Sequence, residues 1–156
     1  MSSEIMELED VLDENIIKIH LAAVDKKDAL EKMANMLYDN SYILSVEDFV
    51  KDVYYRESQG VTGIGQGIAI PHGKSESVEK IGIAIATLQN PIAWETLDGG
   101  DVDTIFLFCV RSDGNFARNH MLLLSKVAAK LADEELLVKI RHANSKEEMI
   151  QLLNIA

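Results

Sequence analysis

The chain has 156 residues, enough for one domain with a sizeable core, and 47% hydrophobic against 26% charged residues excludes a disordered chain and fits a globular one. Its net charge of −11 argues against a nucleic-acid partner; it suits a basic protein partner as well as it suits plain solubility. No apolar run nears the ~20 residues needed to cross a bilayer, and the acidic start Met1–Asp10 lacks a signal-peptide layout, so the expected location is the cytoplasm.

Taken in chain order, Ile16 to Leu21 alternates Ile17, Ile19 and Leu21 with Lys18 and His20, which predicts a strand with His20 solvated or turn-bonded. Asp25 is placed to cap a helix whose Leu30, Met33, Ala34 and Leu37 share one stripe and which ends near Asn40. Ser45 with Asp48 resembles a capping box, and Val46, Phe49, Val50 and Val53 form the apolar face of the helix that follows. That helix delivers Arg56 to its C-terminal end, where the helix dipole alone would favour a cation.

Thr62 to Gly73 reads Thr-Gly-Ile-Gly-Gln-Gly-Ile-Ala-Ile-Pro-His-Gly. The spacing of Gly63, Gly65 and Gly67 matches neither a dinucleotide loop nor a P-loop. Ile68, Ala69 and Ile70 read as a short buried strand. Pro71 then fixes its own φ and pushes Ile70 toward an extended conformation, so a turn is expected to present His72. Gly73, without a side chain, leaves room beside the imidazole for a bulky partner. A histidine so placed is compatible with a nucleophile, a metal ligand or a turn residue.

Lys74 to Lys80 reads as a charged surface connection, and Ile81 to Ala86 as a strand with one bulky and one small face. Pro91, Trp94 and Asp98-Gly99-Gly100 mark a loop, with Trp94 as its packing anchor. Asp103 to Val110 is apolar without alternation, the pattern of a strand covered on both faces, and it holds Cys109, expected to be a buried reduced thiol. A helix from Phe116 or Ala117 to about Ala132 places His120, Leu124, Val127 and Leu131 on one inward stripe, with His120 in the first turn. Two further helices, Asp133 to Arg141 and Ser145 to Leu153, end the chain, and His142 is expected to bond the end of the former.

Thr62-Gly63-Ile64-Gly65, Gly67 to Gly73, Arg56-Glu57 and Asn119-His120 followed by leucines together resemble, in order and over nearly the whole chain, the IIA domains of the sugar phosphotransferase system, mannitol/fructose class. The resemblance implies that residues 1–156 form one α/β sandwich with a mixed sheet of about five strands and helices on both faces. It also implies that His72 accepts a phosphoryl group on Nε2 from phosphorylated HPr and passes it to the cysteine of a IIB domain, with the membrane reached only through a IIC permease. His120 would bond the phosphoryl oxygens, Arg56 would balance charge, and the amides of Gly63, Gly65 and Gly73 would complete the cradle. No metal or cofactor is expected. Three alternatives stand beside this: a nitrogen-related regulatory IIA protein, a zinc enzyme ligated by His72 and His120, and an inert interaction module.

Overall fold

The structure, a computed structural model, describes residues 7–112 and 117–154, with only the backbone for 117–119. Phe116, one of the two expected starts of the long helix, lies outside the described residues. After two short 3-10 turns, the order is β1 (Ile17–Leu21), α1 (Lys26–Asp39), α2 (Val46–Glu57), β2 (Gly63–Gly65), β3 (Ile68–Ala69), β4 (His72–Ser75), β5 (Gly82–Ile92), β6 (Val102–Arg111), α3 (Ala117–Leu131), α4 (Glu134–Arg141) and α5 (Lys146–Leu153).

The helices begin where their side chains can satisfy free amides. Asp25 accepts from the Asp28 amide at 2.8 Å and Ser45 Oγ from the Asp48 amide at 3.1 Å. Asp133 and Ser145 cap α4 and α5 in the same way. At α5 the Glu148 carboxylate reaches back one residue further than a capping box requires and accepts from Asn144. No helix among the described residues is long and apolar enough to cross a membrane.

The antiparallel pair β5–β6 is the spine of a mixed sheet of order β1-β5-β6-β3-β2. β1 runs parallel to β5 on one side. On the other, β3 and then β4 run parallel along the same edge of β6, and β2 folds back on β3. The sheet has six strands against about five expected, and the two not foreseen as strands are β2 and β4. His72 therefore begins a strand instead of sitting on a turn, and the first residues of the expected surface connection, Lys74 and Ser75, belong to the ladder. Pro71 does not interrupt the edge, because its carbonyl accepts from the Phe108 amide at 2.9 Å. Pro91 likewise lies within β5, at a register shift between Thr87 and Ile92, where its missing N–H costs no ladder bond.

The faces of β5 explain the layering. Its small side chains, Ala84 and Ala86, lie under α1 and α2 with Leu30, Met33, Leu37, Phe49 and Val53. Ile83 and Ile85 face the other way, with Phe106 and Phe108, under Leu123, Val127, Leu137 and Ile140 of α3 and α4. β6 is covered on both sides, and Cys109 is buried, its thiol pushed up to about 12 by that burial. Between β2 and β3 the Gln66-Gly67 turn has positive φ at both residues, the geometry of a tight hairpin.

Gly73 overturns one expectation. The space its missing side chain leaves is occupied, because a Cβ built there would overlap the ring of fully buried Phe49. No bulky partner can enter beside His72 from that side. Gly73→Ala should destabilise the fold by roughly 2 kcal/mol in urea unfolding, as overpacking does, and Phe49→Leu in the same chain should restore part of the loss; an unchanged midpoint in the single variant would show that the contact yields freely.

Candidate functional site

Three elements converge on His72. β4 presents the imidazole almost fully buried, 6% exposed, and flat against Phe108 of the adjacent β6, with ring centroids 4.9 Å apart and planes 23° apart. His120, in the first turn of α3, meets it edge-on at 5.0 Å, and its ring also lies 5.8 Å from Phe108. Arg56 ends α2, half-buried, with Nη1 donating to the Gly60 carbonyl at 3.2 Å. Its positive charge is felt at His72.

These surroundings hold both rings neutral. Burial pushes His72 down to about 4, and the neighbouring His120 and Arg56 push in the same direction; only the Ile70 carbonyl opposes them. That carbonyl does not reach hydrogen-bond geometry with Nδ1, which is buried without a partner among the described residues. His120 is lowered as well, by burial and then by the charge of Lys74, and its Nε2 is also buried and has no partner among the described residues. Such orphans are costly, and two of them on facing rings mark a place built to receive a hydrogen-bonding group. Although the chain is acidic overall, the charges felt here come from Arg56 and Lys74, which suits an anion.

A second cluster fixes the end of α2. The Glu57 carboxylate lies 2.6 Å from Lys26 Nζ and accepts from Thr62 Oγ1 at 2.7 Å. Thr62 Oγ1 in turn accepts from Trp94 Nε1 at 3.1 Å. Lys26 also pairs with Glu95 at 2.8 Å and sits 4.7 Å from the centre of the Trp94 ring. Burial pulls the ammonium down, but hydrogen bonds to Glu57 and Glu95 outweigh it and hold Lys26 above its usual value. Trp94 is thus the expected loop anchor.

The structure therefore brings together His72, His120 and Arg56, separated by 16 and 48 positions in sequence. It does not treat the glycines alike. The Gly63 amide donates to the Glu95 carbonyl at 3.3 Å, so it is not a free donor, and the α-carbon of Gly65 faces the Asp98 carboxylate. Gly73 is a ladder residue opposite Cys109. No third imidazole, thiol or carboxylate joins the two histidines in a metal-binding group among the described residues. Outside the site, His142 bonds the Val138 carbonyl at the end of α4, as expected, and His20 is exposed. Phe108 and Lys26 were not singled out from sequence, and Glu57 entered only as part of the Arg56-Glu57 motif, with no role of its own. Phe108 sits in an apolar run with no alternation to assign its face, and an isolated Lys and Glu carry no sign of burial.

Residues 10–155 match the family model described as phosphoenolpyruvate-dependent sugar phosphotransferase system, EIIA 2. The chain belongs to this family. It is 35% identical over 83% of its length to the 2-O-alpha-mannosyl-D-glycerate-specific EIIABC component of the phosphotransferase system of Escherichia coli, of which it spans 20%. It is 34% identical to the nitrogen regulatory protein of the same organism, over 95% of this chain and 90% of that one. The crystal structure of nitrogen regulatory protein IIA-Ntr from Neisseria meningitidis superposes with a TM-score of 0.84, at 29% identity over 93% of this chain and 97% of the other. The EIIA fold, expected as a mixed sheet between helical layers, is the fold observed.

Two outcomes follow from the geometry. In an NMR titration of this EIIA chain, His72 should protonate near pH 4. The unfolded chain takes that proton near pH 6.5 and the folded one only near 4, so the stability His72 contributes above pH 6.5 is lost as pH falls through this window. The full loss should reach roughly 3 kcal/mol, absent from His72→Gln; a normal midpoint would contradict the burial. Glu57→Gln should cost roughly 2 kcal/mol in urea unfolding by weakening the bonds to Lys26 and Thr62.

Proposed function

We propose that this EIIA chain is a phosphotransferase component that relays phosphate on His72. Phosphorylated HPr is the donor, a IIB domain is the acceptor, and the reaction serves uptake and phosphorylation of a sugar. The observation that carries the reading is the buried pair of neutral imidazoles, each with a nitrogen that has no partner among the described residues, in the field of the Arg56 guanidinium.

His72 acts as a nucleophile without a separate base, because its ring is already neutral at cytoplasmic pH. The family resemblance assigns Nε2 as the attacking nitrogen, and the burial of Nδ1 agrees with that choice. The Nε2 lone pair bonds to phosphorus as the bond to the donor's histidine nitrogen breaks, and that electron pair returns to the donor ring. In the second step an acceptor thiolate takes the phosphoryl group, and the electron pair of the phosphorus–nitrogen bond returns to His72. A low-basicity imidazole is a good leaving group, so the same burial that keeps His72 neutral eases the second step. His120 Nε2–H supplies a hydrogen bond to a phosphoryl oxygen, and Arg56 balances the charge spread over the group in a metaphosphate-like transition state. Among the three glycines of the expected cradle, Gly73 adjoins the ring, while the Gly63 amide is already engaged. We place the relay in the cytoplasm, in contact with the membrane only through a IIC permease.

A nitrogen-related regulatory role is the second reading, favoured by the likeness over nearly full length to nitrogen regulatory proteins. The sugar-specific likeness in the EIIABC protein, 35% against 34% identity, stands against it. The two readings share His72 and differ in whether a IIB domain accepts the phosphate.

Incubated with phosphoenolpyruvate, Enzyme I and HPr, the wild-type chain should gain one acid-labile phosphoryl group by intact mass, and His72→Ala none. His120→Ala should stay folded and take up phosphate about a hundredfold more slowly. Normal uptake in His72→Ala would sink the assignment. Onward transfer to an added IIB domain separates the sugar route from the regulatory one.

A further inference from the structure

We infer that Phe108 is the positioning residue of this site, holding the His72 ring in its reactive orientation by stacking where a hydrogen-bonded carboxylate would ordinarily do so. The inference rests on the phosphoryl-relay reading of His72. A working histidine usually has its second nitrogen bonded to a carboxylate or carbonyl, which fixes tautomer and orientation and raises basicity. Among the described residues His72 has no such partner at hydrogen-bond geometry, since Nδ1 is buried and unsatisfied and the Ile70 carbonyl acts on the ring without reaching it. Something else must set the ring's direction.

Phe108 is placed to do this. It pairs with His72 across the parallel β4–β6 ladder, its amide donates to the Pro71 carbonyl at 2.9 Å, and its ring lies nearly parallel to the imidazole at 4.9 Å. One residue therefore fixes both the backbone at Pro71-His72 and the plane of the ring. Phe108 is fully buried and also touches His120, so the two imidazoles share one floor. A stacked phenyl ring restrains orientation without accepting a proton. It leaves the imidazole weakly basic, which a carboxylate would not, and so keeps the phosphorus–nitrogen bond transferable. The charged and titratable groups facing these rings are Arg56 from α2, His120 from α3 and Lys74 from β4, the last acting on His120. None is an acceptor able to take over the orienting role.

Phe106 provides the control. It is equally buried, two residues away on the same strand and in the same apolar layer, and no ring contact joins it to either histidine. Phe108→Leu and Phe106→Leu should weaken folding to a similar degree. Only Phe108→Leu should raise the NMR titration midpoint of His72 toward the ordinary histidine value, and only it should slow phosphate uptake from HPr, by about tenfold. Equal effects of the two variants on midpoint and rate, or no effect of Phe108→Leu on either, would overturn the inference. If Phe108→Leu does not fold, Phe108→Met fills similar volume with a flexible chain and is read by the same criteria. The midpoint needs no phosphate donor, so failure of the relay itself would show separately, as a wild-type chain that takes up no phosphate.

Discussion

The ladder between β4 and β6 is the constraint on which the site depends. Two parallel segments, Ile68–Ala69 and His72–Ser75, follow one edge of β6, and the Pro71 carbonyl keeps that edge bonded between them. A change of one residue in this register would turn His72 to the opposite face of the sheet, away from Phe108 and α3. Gly73 helps to fix the register: it lies where the Phe49 ring leaves no space for a Cβ, so moving a larger residue into that position would force α2 outward. The packing of α2 and the direction of His72 are thereby one constraint. That couples Arg56, at the end of the same helix, to the ring whose charge it opposes.

Burial and charge act in the same direction on His72 and in opposite directions on an entering anion. Removing His72 from water disfavours its protonated form, and the positive field of Arg56 does the same. An anion entering this space also pays to leave water, but it feels the Arg56 field with the reverse sign and has the orphan nitrogen of His120 to bond. On the proposed reading, a phosphoryl group would complete the site. In a chain of net charge −11 such a local field needs its own cations, and Arg56 and Lys74 supply it from α2 and β4.

Helices and caps were legible because they follow local rules. Asp25, Ser45 and Ser145 cap where the sequence spacing implies, and the stripe of Leu30, Met33, Ala34 and Leu37 is buried as a stripe. The alternation of alanines and isoleucines in β5 even told which face would take the closer layer. β4 was not legible. His-Gly-Lys-Ser has neither alternation nor strong strand formers, and Pro71 before it is a turn signal; the strand exists because β6 offers an unpaired edge. The two histidines and Arg56 were named through a family resemblance, and their spacing alone left a turn residue and a core residue as open readings. Phe108 was hidden for the opposite reason: in Ile-Phe-Leu-Phe-Cys-Val every residue is apolar, so no pattern distinguishes the one that lies under the imidazoles.

The Lys26–Glu57–Thr62–Trp94 cluster shows how a surface-looking pair becomes structural. Glu57 follows Arg56 directly, yet the two side chains serve different neighbours: Arg56 bonds Gly60 and acts on His72, whereas Glu57 ties α2 to the start of α1 and to the first residue of the glycine stretch. Each exposed ion pair of this kind is worth little, but Glu57 is 7% exposed and its carboxylate bridges an ammonium and a hydroxyl that are themselves engaged elsewhere. Free movement of α2's last turn would require all of these bonds to break together. Arg56 therefore stands on a backbone held from both directions, by Phe49 packing against Gly73 earlier in the helix and by Glu57 at its end. A long, flexible arginine side chain can be placed within reach of a phosphoryl group only if its own Cα does not wander, and here that rigidity comes from the neighbouring acid.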